Sequence, residues 1–149
     1  MLASISGRRW VCTVASSYSE IVTGLSGRLS LAPGTGMLFD LGYDHSRIDI
    51  NMQQMLFPLD IIFISSNLEV VGVLHDVQPG EEAYFEATRT PGARFFLEVN
   101  AGEASDINVG DPVTFEGCAP IQEWSATDWA VLVVCLVIIG LCLGYVYKH

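Results

Sequence analysis

The alternation of apolar and polar positions is clearest between Arg47 and Met52, where RIDINM places Ile48, Ile50 and Met52 on one face and Arg47, Asp49 and Asn51 on the other. A period of two over such a length predicts a strand with one face buried. Trp10 to Ala15 (WVCTVA) carries the same β-branched alternation, and Met37 to Leu41 (MLFDL), Arg94 to Val99 (RFFLEV) and Val113 to Glu116 are shorter segments of strand type, the second of them also readable as a helix start. Leu59 to Ser65 is apolar almost throughout, which predicts a strand buried on both faces, and Leu68 to Val77 is its half-exposed hairpin partner across Ser66-Asn67. Turns are marked by APGTG at Ala32 to Gly36, by QPGEE at Gln78 to Glu82 and by Gly110-Asp111-Pro112. Ser17-Tyr18-Ser19-Glu20 has capping-box spacing and opens a short helix toward Leu25. Several short strands, one or two short helices and no regular alternation of the two predict an α+β domain with a partly closed antiparallel sheet over residues 1–116.

Hydrophobicity changes character after a linker at 117–128. From Trp129 to Tyr147 the chain reads WAVLVVCLVIIGLCLGYVY without a charge. As a helix it spans roughly 28 Å, close to the hydrocarbon thickness of a bilayer. Trp124 and Trp129 at one end and Tyr145 and Tyr147 at the other stand where interfacial aromatics belong. Residues 129–147 are therefore expected to form a single transmembrane helix, a C-terminal anchor with the tail Lys148-His149. Glu123 and Asp128 before the span and Lys148 after it favour a cytoplasmic tail, whereas the first ten residues hold no signal-peptide stretch and favour a cytoplasmic domain; the side of the membrane stays open. Gly140 and Gly144 form a small-xxx-small pair that could seat a second helix.

Charge narrows the partners. Six arginines and one lysine stand against seventeen carboxylates, a net charge of −10, which opposes phosphate backbones and argues against nucleic acid. Among the four cysteines, Cys12 and Cys118 bracket the domain and are either bridged or buried thiols. No Cys–Cys or Cys–His spacing suits zinc, and no cofactor is implied.

The order of motifs resembles the family called domain of unknown function 192. The matching residues are Gly24-Leu25 with Arg28, Gly36-Met37-Leu38-Phe39, Met52, Pro58-Leu59-Asp60-Ile61-Ile62-Phe63-Ile64, Val70-Val71, Leu97-Glu98 with Ala101-Gly102, and Gly110-Asp111. They cover roughly residues 10–116. The chain departs from the family pattern at Ser26, where methionine is usual, and at Ile50-Asn51-Met52-Gln53-Gln54-Met55, where Phe-Trp-Met-Lys-Asn-Thr is usual. The resemblance implies a compact barrel-like fold and no established activity.

Two carboxylates stand out. Asp60 sits inside the greasiest segment of the domain, and an unpaired buried carboxylate costs several kcal/mol. It needs either an arginine (Arg28, Arg47 or Arg94) or backbone N–H groups of a turn. Glu98, between Leu97 and Val99, poses the same problem. Asp60, Arg28, Asn51, Gln53, Gln54 and Glu98 are the candidate ligand-binding residues. His75-Asp76 reads as a base with its orienting carboxylate or as a solvated strand end. No nucleophile elbow or phosphate loop is present. The expected function is a membrane-anchored accessory or binding module that presents a small polar site or a barrel face to a ligand or protein partner. The alternatives are a structural subunit of a membrane-bound assembly or virion, and an acid/base enzyme using Asp60 and Glu98 in one cleft.

Overall fold

The computed structural model describes residues 1–117, which form one compact unit. The expected span at 129–147, the Gly140/Gly144 pair and Cys118 lie outside the described residues. Among the described residues, no helix is long and apolar enough to cross a membrane.

The elements run β1 (Leu2–Ile5), β2 (Arg8–Ala15), α1 (Tyr18–Thr23), β3 (Thr35–His45), β4 (Arg47–Asn51), β5 (Leu59–Ile64), β6 (Val70–Val77), β7 (Glu82–Glu86), β8 (Ala93–Asn100) and β9 (Val113–Glu116). Seven strands form a sheet in the order β6-β5-β8-β3-β2-β1-β9, and β4 pairs with β7 in a separate two-stranded sheet. The large sheet curls until its ends meet. Val70 N–H donates to the Asp111 carbonyl at 3.0 Å, Gly110 N–H to the Val70 carbonyl at 2.8 Å, and Val113 N–H to the Leu68 carbonyl at 2.9 Å. The result is the partly closed, β-rich barrel expected from the sequence, with α1 as the helix.

The sheet is not wholly antiparallel. β2 and β3 run parallel, with Cys12 opposite Gly36 and Val14 opposite Leu38. The reason is the chain between them: a parallel pair needs a crossover connection, and here α1 and its loops supply it. Ser17 caps that helix, its hydroxyl accepting from Glu20 N–H, while the Glu20 carboxylate accepts from Ser17 N–H in return. Two strands escape sequence reading. β1 is only LASI, and β7 follows the QPGEE turn with three polar or half-polar residues facing outward. β3 also continues past Leu41 as far as His45, with an irregular register against β8 between Asp40 and His45.

Two hydrophobic cores lie on opposite faces of the curled sheet. Inside the curl are Ala3, Ile5, Trp10, Cys12, Leu38, Ile62, Ile64, Leu97, Val99 and Val113. On the outer face, Met37, Phe39, Leu59, Ile61, Phe63 and Phe96 pack beneath Ile48 and Ile50 of β4 and Phe85 of β7. β5 and β8 contribute to both, which explains why every residue of β5 is buried. The outer core is sealed by stacked rings, Phe39 on Phe96 at 4.2 Å and Phe63 on Phe85 at 4.6 Å between centroids. Residues 1–117 thus supply both cores and every strand pairing themselves, the material of an independently folding unit.

Gly36 shows how tightly β3 meets β8. A Cβ there would lie 2.9 Å from the Glu98 carbonyl oxygen and 2.9 Å from Leu97 Cδ1. Gly36→Ala is expected to lose about 1–3 kcal/mol through overpacking, read as a lower midpoint in urea with an unchanged slope.

Candidate functional site

Asp60 is 1% exposed, and the structure decides between its two sets of donors. No arginine reaches it. Arg47 pairs with Asp49 at 2.8 Å, Arg94 makes a two-pronged contact with Asp40 at 3.0 and 3.1 Å, and Arg28 is exposed. Instead, Oδ1 accepts from Asp76 N–H at 2.9 Å, and Oδ2 accepts from Gly102 N–H and Ala104 N–H, both at 2.9 Å. Three backbone amides from two distant segments converge on one side chain, fastening the end of β6 and the turn after β8 to the middle of the barrel. His75 is half exposed, and its Nδ1 lies 3.8 Å from Asp60, beyond hydrogen-bond reach; the Asp76 carboxylate accepts from Gln78 Nε2 at 2.8 Å. A His75-Asp76 catalytic pair is not assembled. Asp60 is a clamp.

Glu98 is the opposite case. Asp60 stands across from Val99 and Ile61 across from Glu98, so the two carboxylates leave the sheet on opposite faces. The shared cleft that the acid/base reading requires is therefore absent. Asp60 belongs to the inner side, whereas Glu98 emerges on the outer side, beneath α1 and β4. There it meets a cavity of about 330 Å³ lined by Gly24, Leu25, Phe39, Ile48, Ile50, Met55 and Phe96, with Asn51 and Asp49 at its β4 edge. Among the described residues Glu98 has no hydrogen-bond partner, while every fully occluded side-chain nitrogen or oxygen does have one. Its carboxyl is therefore in contact with the cavity. Burial in this apolar wall pushes its pKa up to about 8, so the group is mainly neutral at pH 7.

The other candidates separate. Asn51 lines the cavity, and its Oδ1 accepts from Gln53 N–H at 3.0 Å. The Gln53 amide donates to the Gly80 carbonyl at 3.1 Å, tying β4 to the turn before β7. The Gln54 carbonyl accepts from Gly27 N–H at 3.0 Å and joins the α1–β3 loop to that crossing. Gln53, Gln54, Arg28 and Asp60 thus lie outside the cavity, and only Asn51 and Glu98 are brought together in it. The expected polar pocket is instead an apolar slot with one acid on its floor. Its walls, above all Phe39, Phe96 and Met55, were missed as site residues because an aromatic or methionine at such spacing reads as core. Cys12 is a buried thiol donating to the Trp10 carbonyl, and burial raises its pKa.

Four departures from the family pattern fall on this cavity: Ser26, Ile50, Asn51 and Met55 all line it. The first three are smaller than the methionine, phenylalanine and tryptophan usual at their positions, whereas Met55 is larger than the usual threonine.

A half-closed β-barrel with a crossover helix and one unpartnered acid in an apolar slot defines a small β-rich domain with a cavity. The model of the DUF192 family, described as uncharacterized ACR, matches residues 1–115, and the chain belongs to that family. A crystal structure of a protein of unknown function from Novosphingobium aromaticivorans is similar, with 25% identity and a TM-score of 0.69 over 77% of this chain and 84% of that one. A crystal structure from Sinorhizobium meliloti, described as a candidate transcription regulator, shares 30% identity with a TM-score of 0.66 over 76% of this chain and 91% of that one. No curated protein matches the sequence.

Proposed function

We propose that the chain is a membrane-tethered, non-catalytic binding module whose receptive site is the Glu98 cavity and whose ligand is a small molecule with an apolar body. The observation that carries this is the unpartnered Glu98 carboxyl in contact with a cavity of about 330 Å³. Ligand sites are typically apolar pockets of about 300–1,000 Å³ with a few polar groups that fix orientation, and this slot lies at the small end. The tether is supported by the uncharged run from Trp129 to Tyr147. The regulator description of the Sinorhizobium protein is not carried over, because a chain with net charge −10 repels nucleic acid.

Filling the slot tests the reading without touching Glu98. Ser26→Met restores bulk at a cavity wall, and residues 1–117 are screened against a library of small amphipathic molecules by thermal shift and NMR. The wild type is expected to respond to a subset that the Ser26→Met variant ignores. Indifference of the wild type to the whole library removes the small-ligand function.

A further inference from the structure

We infer that the Glu98 cavity takes a small primary or secondary ammonium with an apolar body, the charged end seated against the Glu98 carboxyl and the body between α1, β3 and β4. This rests on the binding-module reading above and names its ligand class.

α1 and the loop after it contribute Ile21, Val22 and Leu25; β3 contributes Phe39 and Leu41; β4 contributes Ile48 and Ile50. These side chains satisfy no polar group, and the Thr23 and Ser26 hydroxyls beside them carry no charge, so the charged end of an occupant must meet Glu98 or the β4 edge. At that edge the Asn51 side-chain oxygen already accepts from Gln53 N–H, and the remaining charged group is Asp49, held by Arg47. Taking the elements around Glu98 in turn, α1 and its loop, β3, the Met55 segment and the neighbouring β8 residue Phe96 bring no titratable side chain to the cavity. Two carboxyl groups and no cation therefore face the space.

An anion would meet two carboxyl groups and no cation among the lining residues and is disfavoured. A neutral alcohol or amide could gain a hydrogen bond from the protonated acid but no charge interaction. An ammonium gains an ion pair in a setting of low dielectric, where such a pair is stronger than in water. The proton balance is explicit: the neutral Glu98 carboxyl releases its O–H proton to solvent, the carboxylate forms, and the incoming ammonium keeps its own protons and donates one to it. Binding therefore liberates close to one proton at pH 7 and less as pH rises, since Glu98 titrates near 8. The linkage gives the affinity for an ammonium a rise of about tenfold per pH unit from pH 6 to 8 and a plateau above. A neutral ligand held by the protonated acid shows the reverse, constant affinity below 8 and weakening above.

The test uses residues 1–117 with matched series of straight-chain and aryl amines, alcohols and carboxylates, followed by isothermal calorimetry in buffers of different ionisation enthalpy and by carbon-13 NMR of the Glu98 carboxyl. The expected result is amine binding with proton release, an affinity climbing toward pH 8, and at least a tenfold loss in Glu98→Gln, with carboxylates inert. Fold of the variant is checked by its amide spectrum, and Ser26→Met provides an independent block that keeps the acid. Alcohols binding as well as amines, with no proton release, would overturn the ammonium inference and leave the small-ligand reading standing. Failure of all three series to move the Glu98 signal would overturn both.

Discussion

Asp60→Asn is expected to destabilise residues 1–117 by about 3 kcal/mol, since an amide cannot accept all three N–H groups and turns its own donor toward at least one of them. Oδ1 serves Asp76 and Oδ2 serves Gly102 and Ala104, so either orientation of the asparagine leaves a buried donor facing a donor. For a domain of this size the loss corresponds to roughly 10–15 °C in melting temperature. The effect should be spatially resolved. Amide exchange at Asp76, Gly102 and Ala104 should accelerate more than at β2 or β3, because those three groups lose their acceptor while the strand ladder survives. A variant within about 0.5 kcal/mol of wild type would mean that the clamp is not holding these segments, an outcome outside the usual range for a buried charged acceptor.

Glu98→Gln should act in the other direction. Glu98 has a folded-state pKa near 8 against an ordinary value of 4.5, so between these values the folded chain holds a proton that the unfolded chain has released. Stability therefore falls as pH rises through that window, by about 1.4 kcal/mol per unit at the limit, and levels off above pH 8. Glutamine removes this dependence. At pH 8 the variant is expected to be about 2 kcal/mol more stable than wild type, the remaining gain being offset by an amide that is itself unpartnered in the slot. Wild type regains about 4 kcal/mol on going down to pH 4.5, so the order inverts there and the variant is expected to be about 2 kcal/mol the less stable. Urea melts of both proteins across this range check the prediction, and a wild type whose stability is flat between pH 5 and 8 would refute it.

Much of the barrel was legible in the pattern of side chains. The alternation at Arg47 to Met52 foretold which face of β4 is buried, and the apolar run Leu59 to Ile64 foretold a strand covered on both sides. The capping box at Ser17 marked α1 correctly. The parallel β2–β3 pair was not legible, because a six-residue helix gives no signal that the chain has crossed over rather than turned back. β7 was hidden by its glutamates: Glu82 and Glu86 look like turn residues until Phe85 is seen beneath Gly72, where a Cβ would stand 2.8 Å from its ring.

The two acids show the same boundary. Sequence states that Asp60 must be compensated, and arginine is the visible donor, whereas backbone amides have no letter of their own. Which N–H groups turn toward an acid is decided by the conformation of residues 101–104 and by the left-handed Asp76, both sixteen or more positions away. Glu98 could be singled out but not placed, since its cavity is assembled from α1, β3, β4 and β8. Strand parity alone separates it from Asp60: positions opposite Val99 and opposite Ile61 face opposite ways, and the register was needed to say so.

Central to the site is a Glu98 held as a neutral, unpartnered acid in the slot. Carbon-13 NMR titration of its side-chain carboxyl in residues 1–117, assigned by comparison with Glu98→Gln, measures this directly. The predicted midpoint lies near pH 8. A midpoint at the ordinary carboxylate value, around 4.5, would show a solvated or paired side chain and would contradict the site, the ligand class and the pH profile together.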